Sequence, residues 1–299
     1  MKTLASLQKK AKRNKNQVIS IADAADKEVL EAVKRAKSEE MCSFILFGNK
    51  QDIRSIAYTI DLDLSSPGIM VEDVKDPAEA AVKAVSQKQA DILMKGNVTT
   101  KDLLKAVLSE KFGLRTGHVL SHVALFEIPN RDRLLFLTDA AMNIAPTLKE
   151  KVEIVNNSVK VAHAIGLNNP KVAALASVEV VNPAMQATID AAALTQMQKR
   201  GQITGCIIDG PLAFDNAISI EAAMHKKIVS EVAGNADMLV VPTIDVGNAL
   251  YKSFMYFAGA KVAAVISGAK APIILTSRAD SAESKLYSLS LALLSSKTF

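Results

Sequence analysis

A serine and an arginine stand directly after an apolar run near the end of the chain, in the segment "APIILTSRADSAES". The run, residues 272–275, is typical of a buried strand, so Ser277 and Arg278 would lie at a strand end. A guanidinium suits phosphate because its planar fork donates two parallel hydrogen bonds. Two acids follow, Asp280 and Glu283, and a capping box for the next helix is an alternative explanation of these acids alone. The sequence therefore predicts that Ser277 and Arg278 act on an anionic substrate.

A second polar segment, "KGNVTTK", follows the apolar run "ADILM" and precedes a helical pattern. Glycine lets a backbone approach a ligand, hydroxyl groups donate hydrogen bonds, and a helix N-terminus attracts an anion. The spacing differs from that of a Walker phosphate loop, and helix capping alone would account for one of the two threonines. The lysine and glycine beside them favour an anion site. The candidate ligands are Lys95, Gly96, Asn97, Thr99 and Thr100.

Three further apolar runs are followed by carboxylates and amides, in "FLTDAAMN", "IIDGPLAFDNAIS" and "VVPTIDVGNALYK". In a parallel sheet the functional residues collect beyond the carboxyl ends of the strands, so we expect these side chains to share an edge. Turn chemistry is the alternative for two of them, because Asn143 precedes Pro146 and Asp209 begins an Asp-Gly-Pro turn. The candidate substrate-binding residues are Asp139, Asn143, Asp209, Asp215 and Asn248.

Short apolar runs alternate with helical patterns along most of the chain, which predicts βαβ units and a mostly parallel sheet. One segment breaks the alternation: "GHVLSHVALFEIPNRDRLLFLTDA" has two apolar runs joined by the turn-like link "PNRD", and so predicts an antiparallel hairpin. The apolar fraction of 49% suits a sheet covered by helices on both faces. The predicted fold class is α/β, with mostly parallel sheets flanked by helices and an inserted antiparallel hairpin.

Composition and charge exclude several classes of protein. The chain has no run of about 18 apolar residues that would predict a transmembrane helix, and no apolar signal-peptide segment follows its basic start. The net charge of +5 owes much to the segment between Lys2 and Lys15, but no aromatic residue there offers a stacking platform for nucleic acid. We expect a cytoplasmic protein without nucleic-acid or membrane partners, in which Cys42 and Cys206 are buried free thiols. Its histidines and cysteines form no metal-ligand motif, so no metal is predicted.

The chain resembles the phosphotransacylases, the family of phosphate butyryltransferases and phosphate acetyltransferases, over most of its length. The resemblance rests on five segments in order: "ADILMKGNVTTKDLLKAVL", "FLTDAAMN", "IIDGPLAFDNAIS", "VVPTIDVGNALYK" and "ILTSRADS". It implies two α/β lobes around an active-site cleft, as in isocitrate and isopropylmalate dehydrogenases. One lobe would comprise residues 1–120 with 275–299, and the other residues 121–274. The resemblance also implies a homodimer or higher homo-oligomer.

The resemblance further implies the reaction acyl-CoA + phosphate ⇌ acyl phosphate + CoA, with a four- or five-carbon acyl group, straight or branched. Coenzyme A and phosphate would be substrates, and no cofactor or metal would be permanently bound. The family's serine-arginine pair falls on Ser277 and Arg278. Lys105 stands where the acetyl enzymes carry a cleft arginine, so a charge is kept there without the bidentate fork.

In the acetyl enzymes an aspartate is the proposed base for the CoA thiol, and the resemblance leaves Asp280, Glu283 and Ser284 as candidates for its position. Three other functions stay open. A dehydrogenase on the same fold would need metal-binding aspartates and a nicotinamide site, although no GxGxxG motif follows a strand. A non-catalytic protein would bind CoA or a phosphoryl ligand without releasing the thiol. A related acyltransferase would use acyl carrier protein.

Overall fold

The computed structural model describes residues 2–13, 16–275 and 280–299. The chain divides into two compact units. One, the terminal unit, comprises Leu4–His118 and Ala263–Phe299, and the other, the central unit, comprises Val119–Val262 with the first residues of the chain. Ser277 and Arg278, predicted to be catalytic, lie outside the described residues. In the part of the chain that is described, no helix is long and apolar enough to cross a membrane.

The terminal unit alternates strands and helices along the sequence. Its strands are β1 (Val18–Ala22), β2 (Ser43–Gly48), β3 (Ile69–Asp73), β4 (Ile92–Lys95), β10 (Lys261–Ser267) and β11 (Ile273–Ile274). Its helices are α1 (Leu4–Ala11), α2 (Lys27–Ser38), α3 (Lys50–Thr59), α4 (Pro77–Ser86), α5 (Thr100–Val107) and α11 (Ala282–Ser295), followed by a 3-10 turn (Ser296–Thr298). The strands lie in the order β3-β2-β1-β4-β11-β10, and neighbours are parallel except for β10 against β11.

Helix α11 is the most deeply buried helix segment of the terminal unit. Its residues from Lys285 to Ser295 are all buried, and it packs against α1 and α2. Serines are tolerated there because the hydroxyls of Ser290 and Ser295 donate to the carbonyls one turn earlier, each at 2.8 Å. The amphipathic helix α1 contributes Leu4, Leu7 and Ala11 to the same core. The first and the last helices of the chain, α1 and α11, are therefore held in one unit.

The start of α11 differs from the predicted capping box. Ser281 is the N-cap, and its hydroxyl accepts a hydrogen bond from the backbone N–H of Ser284 at 3.2 Å. Glu283 Oε1 instead accepts a hydrogen bond from the hydroxyl of Tyr287 at 3.0 Å. The prediction that Asp280 and Glu283 form a capping box is wrong, because Ser281 takes the cap position and moves its partner from Glu283 to Ser284.

The central unit has the same alternation after an initial pair of strands. Its strands are β5 (Ser121–Glu127), β6 (Leu135–Thr138), β7 (Lys171–Leu175), β8 (Ile207–Leu212) and β9 (Met238–Val240). Its helices are α6 (Leu148–Ala164), α7 (Gln186–Lys199), α8 (Phe214–Ile218), α9 (Ile220–His225) and α10 (Ile244–Tyr256). The strands lie in the order β5-β6-β9-β7-β8. Strands β5 and β6 are antiparallel and the other neighbours are parallel, which confirms the predicted hairpin.

Asp209 lies elsewhere than predicted. The sequence placed it in a turn after a strand, but it is the third residue of β8 and is paired with Ala173 of β7. Its Oδ1 accepts the backbone N–H of Gly210 at 2.9 Å. A Cβ at Gly210 would come within 2.7 Å of the Ala174 carbonyl oxygen, so this glycine serves close strand packing. The turn prediction is wrong because strand pairing overrides the local preference of Asp-Gly-Pro.

Candidate functional site

Three neighbouring strands of the terminal unit end at the same edge of the sheet. Ala22 of β1 is paired with Lys95 of β4, and Met94 of β4 is paired with Ile274 of β11. Because these strands are parallel, their carboxyl ends lie side by side, with about 4.8 Å between neighbours. The chain segments that follow β1 and β4 therefore leave the sheet together, at the edge where ligands bind in open α/β sheets.

Lys95 brings a cation to this edge. It is the last residue of β4, and only 6% of its surface is exposed. Its ammonium donates a hydrogen bond to the carbonyl of Gly96 at 3.1 Å. A positive charge away from bulk water interacts more strongly with an anion than an exposed one does. The position of Lys95 therefore suits an anion site at the start of the loop.

The loop after β4 is fixed to the end of β1 by its backbone. Gly96 N–H donates to the Ala22 carbonyl at 2.9 Å, and Asn97 N–H donates to the Asp23 carbonyl at 2.7 Å. A Cβ on Gly96 would lie 1.9 Å from the Asp23 carbonyl oxygen and 2.8 Å from that of Ala22. No side chain fits there, so the approach of the two backbones explains this glycine without a ligand. Asn97, beside it, is exposed.

The two threonines have separate places. Thr99 is the N-cap of α5: its hydroxyl accepts the backbone N–H of Asp102 at 3.1 Å and donates to the carboxylate of Asp102 at 2.6 Å. The Thr99 hydroxyl therefore serves as a helix cap, and capping was the alternative explanation that the sequence left open for one of the two threonines. Thr100 is the first residue of α5 and is exposed. Unlike the hydroxyl of Thr99, that of Thr100 does not cap the helix.

Lys105 lines a groove on the outer side of α5. The groove has a volume of about 580 Å³ and lies between the first turn of α4 and α5. Lys75 and Phe112 share its wall, and the Nζ of Lys83 lies 5.0 Å from the centre of the Phe112 ring. Val98 of the β4–α5 loop also lines the groove, which therefore begins beside the candidate anion site. The volume is within the range of small-molecule sites.

The chain on the carboxyl side of Ser277 and Arg278 is held firmly. The backbone N–H of Ala282 donates to the carboxylate of Glu28 in the first turn of α2, at 3.0 Å. Buried Lys285 donates to the carbonyl of Asp280 at 2.5 Å. Helix α11 therefore begins beside the start of α2, which the chain reaches directly from the end of β1.

In the central unit, Asp139 and Asn143 are brought together after β6. Asp139 is 3% exposed, and its Oδ1 accepts the backbone N–H groups of Ala141 and Met142 at 2.8 and 2.9 Å. Its Oδ2 accepts the Asn143 amide at 2.6 Å, and the same amide donates to the Leu120 carbonyl at 2.9 Å. The Asp139 carboxylate therefore orders the loop that follows β6.

The start of α10 packs on the same loop. A Cβ at Gly247 would lie 2.5 Å from the Asp139 carbonyl oxygen, so helix and loop are in direct contact. The Asn248 amide lies 3.5 Å from the carbonyl oxygen of Ala140. The structure thus gathers three of the predicted residues, Asp139, Asn143 and Asn248, into one cluster.

Asp215 belongs to a different cluster. It is exposed in the first turn of α8, and its Oδ1 accepts the backbone N–H of Asn216 at 2.9 Å. The fully buried Asn216 donates through its amide to Glu179 at 3.3 Å, and Glu179 pairs with Lys226 at 3.0 Å. The hydrogen bond from Lys226 is the largest of the contributions that lower the pKa of Glu179. Sequence reasoning missed Glu179, since nothing local marks the loop after β7.

Asp23 is a second carboxylate that sequence reasoning missed. It follows β1 directly, is half-buried, and has a left-handed backbone with φ of 60°. The run "VISIA" before it is short and apolar, and an acid at its end is the signal that would have found it. Among the residues that the structure describes, no group of three or more histidine, cysteine or acidic side chains is arranged to hold a metal ion.

Similarity to solved structures defines the class of protein first. The 4-hydroxythreonine-4-phosphate dehydrogenase of Klebsiella pneumoniae has the same fold, with a TM-score of 0.55 at 12% identity over 94% of this chain and 99% of that one. A branched-chain phosphotransacylase of Enterococcus faecalis is nearer, with a TM-score of 0.81 at 39% identity over 94% of this chain and 99% of that one. The fold is thus dehydrogenase-like, and the protein is a phosphate acyltransferase.

Sequence comparison then identifies the family. The model described as "Phosphate acetyl/butaryl transferase" matches residues 2–73 and 66–293, and the chain belongs to this family. It is 57% identical to a probable phosphate butyryltransferase of Bacillus subtilis over 97% of each chain. It is 51% identical to the phosphate butyryltransferase of Clostridium acetobutylicum over 95% of each. It is 45% identical to the phosphate acetyltransferase of Thermotoga maritima, over 94% of this chain and 95% of that one.

Proposed function

We propose that this acyltransferase moves a four- or five-carbon acyl group between coenzyme A and phosphate: acyl-CoA + phosphate ⇌ acyl phosphate + CoA. The observation that carries the proposal is the order of identities, 57% and 51% to two butyryltransferases against 45% to an acetyltransferase. The 39% identity to a branched-chain phosphotransacylase supports a branched acyl group as well. Coenzyme A and phosphate act as substrates, with no permanently bound cofactor or metal, in the cytoplasm.

The phosphate would bind at the carboxyl edge of the terminal unit. Lys95 supplies a charge there, and Asn97 and Thr100 offer exposed polar side chains beside the N-terminus of α5. Gly96 and Thr99 support the site indirectly, because one allows the loop to lie on β1 and the other caps the helix. This division of roles explains why a lysine, a glycine and hydroxyls follow one another in the sequence.

Ser277 and Arg278 would stabilise the charge that develops during transfer. When a phosphate oxygen attacks the thioester carbonyl, the carbonyl oxygen becomes an oxyanion, which positioned donors stabilise. We assign this role to the serine hydroxyl and the guanidinium. Asp280 and Glu283 stand two and five residues after Arg278 and are candidates for handling the thiol proton. Glu283 already accepts a hydrogen bond from Tyr287.

Coenzyme A is larger and would use further contacts. The groove beside α5 is lined by two lysines, Lys105 and Lys75, and by three acids, Asp76, Glu79 and Asp102. The two lysines are the part of it that the CoA phosphates would contact. In the central unit, Asp139, Asn143 and Asn248 order a loop after β6, and Asp215 lies exposed at the start of α8. Asp209 stays among the proposed substrate-binding residues, although its carboxylate bonds the adjacent backbone. We assign all five to substrate binding.

We also propose a homo-oligomer, in the simplest case a homodimer formed through the central unit. Large apolar side chains are exposed there on α9, after it and at the end of α10. They are Met224 (70%), Val229 (101%), Tyr256 (77%) and Phe257 (93%). The rings of Phe214 and Phe254, 6.1 Å apart, connect α8 to α10. Light scattering should give at least twice the chain mass of 31.9 kDa, and the mass of one chain would refute this part of the proposal.

The experiment that tests the reaction is thiol release from acyl-CoA with phosphate varied. Butyryl- and isobutyryl-CoA should react faster than acetyl-CoA, and EDTA should have no effect. Arg278→Ala should lower kcat about 100- to 1,000-fold with an unchanged melting temperature, and Arg278→Lys should recover only part of the loss. Activity that is lost on chelation and restored by a divalent ion, or reduction of a nicotinamide, would instead indicate a dehydrogenase. A variant Arg278→Ala with full activity would contradict the assignment of this residue.

A further inference from the structure

Asp23 lies at the point where the chain connections of the terminal unit diverge. From β1 the chain crosses to β2 and then β3 on one side, and β4 lies on the other side of β1. Such a switch point opens a crevice beyond the carboxyl ends of the strands, where ligands of open α/β sheets bind. Asp23 is the first residue after β1 and therefore stands at the mouth of this crevice.

The surroundings of Asp23 are built around its unusual backbone. Non-glycine residues with a left-handed backbone are uncommon and cluster at functional sites. The carbonyl of Asp23 holds the β4–α5 loop through Asn97, and that loop passes over it at Gly96. On the other side, a Cβ at Gly48 would lie only 2.9 Å from Asp23 Oδ1, so there is no room for a side chain at the end of β2 next to the carboxylate. Two glycines thus make room for one aspartate.

The Asp23 side chain is partly accessible, and its surroundings disfavour the charged form of the carboxylate. The side chain is half-buried, and burial is the main cause that raises its pKa above the usual value. The nearby acids Asp52 on α3 and Asp26 before α2 raise the pKa further, whereas a hydrogen bond from the backbone of Ala25 opposes them. A charged residue, Lys95, ends the neighbouring strand β4. It is paired with Ala22, the residue just before Asp23. A carboxylate in this setting accepts a proton more readily than a solvated one.

We propose that Asp23 is the base that accepts the proton of the CoA thiol, an inference that rests on the proposed function. In the direction of CoA acylation, the thiol proton passes to the Asp23 carboxylate while the sulfur electron pair forms the C–S bond. The C–O bond to phosphate then breaks, with its electron pair going to the phosphate oxygen. The proton leaves Asp23 for the departing phosphate, so that CoA-SH and R-CO-OPO₃²⁻ become R-CO-S-CoA and HPO₄²⁻.

The position of Asp23 relative to the start of α11 favours it over the acids of that helix. The loop from Asp23 leads into α2, whose Glu28 binds the backbone N–H of Ala282. Asp23 therefore lies on the segment that borders the start of α11, and its Oδ1 lies beside the end of β2 at Gly48, at the same edge of the sheet. Glu283 is already engaged by Tyr287 on its own helix. In reverse, the protonated Asp23 gives its proton to the departing sulfur.

The test uses Asp23→Asn in the full-length enzyme, because asparagine tolerates a left-handed backbone and keeps the size of the side chain. Acylation of CoA by butyryl phosphate should slow about 100- to 10,000-fold at neutral pH, the usual contribution of a general base. The wild-type rate should fall at low pH as the Asp23 carboxylate becomes protonated, and the variant should lose this acid limb. The rate of the variant should instead rise with pH as solvent ionises the thiol. A merely structural role would not produce this change of pH profile.

Asp26→Asn is the matched control. Asparagine caps a helix as well as aspartate does, so α2 keeps its N-cap bond to Val29. Removing this negative charge should lower the pKa of Asp23 and move the acid limb of the wild-type profile to lower pH, with the plateau rate unchanged. The pH profile of Asp26→Asn also tests the proposal if Asp23→Asn fails to fold. An acid limb that does not move in Asp26→Asn would overturn the proposal.

The outcomes separate this inference from the proposed function. A wild-type enzyme that forms no acyl-CoA from butyryl phosphate would refute the function and the inference together. A fully active wild-type enzyme with a variant Asp23→Asn that stays within threefold of it and keeps the acid limb would refute the inference alone. A slower variant that keeps the acid limb would also overturn it, because the titrating group would then lie elsewhere.

Discussion

Gly96→Ala tests whether the β4–α5 loop is held by the close approach of two backbones. The new Cβ would lie 1.9 Å from the carbonyl oxygen of Asp23, 2.7 Å from its carbonyl carbon and 2.8 Å from the carbonyl oxygen of Ala22. All three atoms belong to backbone at the end of β1, so no side-chain rotation relieves the overlap. The loop must move away from β1, and Lys95 and Asn97 must move with it.

The magnitude follows from the contacts that are lost. Overpacking a well-packed site costs about 1–3 kcal/mol. The two backbone hydrogen bonds that join the loop to β1, at 2.9 and 2.7 Å, contribute about 1 kcal/mol each. The free energy of unfolding should therefore fall by about 3–5 kcal/mol, which corresponds to a decrease in Tm of about 5–10 °C for a chain of 299 residues. A displacement of the anion site by about 1 Å should lower kcat/KM for phosphate about 100-fold.

The assay is a thermal melt beside steady-state kinetics with phosphate varied. Gly117→Ala is the control, since a Cβ there meets nothing within 4 Å although φ is +86°. That variant should lose about 1–2 kcal/mol from its backbone conformation alone and keep the wild-type kinetics. If Gly96→Ala has the melting temperature and the phosphate kinetics of the wild type, the loop is not held as described.

Other substitutions probe separate features. Thr99→Ala should lower the free energy of unfolding by about 1 kcal/mol through loss of the α5 cap, and Thr99→Ser should retain most of it, as measured by urea unfolding. Lys151→Met should lower the free energy of unfolding by about 3–5 kcal/mol, because the buried Asp190 loses the ammonium 2.6 Å away. Adding Asp190→Leu should recover much of this loss. A double variant in which the two losses simply add would contradict the role of the buried pair. Burial raises the pKa of the Cys42 thiol to about 12 and of the Cys206 thiol to about 11, so a thiol reagent at pH 8 should label them slowly until urea is added. Rapid labelling of the native enzyme would refute their burial.

The parts of the fold that sequence could predict are those with a strong local pattern. The apolar runs that end at Lys95 and before Asp139 mark strand ends correctly, and the link "PNRD" marks the antiparallel pair. Strand β1 was not predicted, because its five residues follow a basic segment and precede another polar stretch. Asp23 was missed with it, because an acid at a strand end is a signal only once the strand itself is recognised.

Other features depend on contacts between distant segments. The clash at Gly96 involves the end of β1, far away in sequence, so the glycine suggested a ligand when the cause is backbone packing. The local sequence around Asp209 is typical of a turn, but pairing with β7 makes this residue part of β8. The choice of Ser281 as the cap of α11 was also open, because Asp280 and Ser281 are both good caps and only the structure selects between them.

In the proposed reaction, phosphate itself receives the acyl group. The most direct measurement is ³¹P NMR of butyryl-CoA and phosphate with the enzyme, read together with free thiol. A new acyl phosphate resonance should grow only with enzyme present, with one thiol released for each acyl phosphate formed. Thiol release without a new phosphorus resonance, or at a rate independent of phosphate concentration, would mean that water or another acceptor takes the acyl group, and would contradict the proposed reaction.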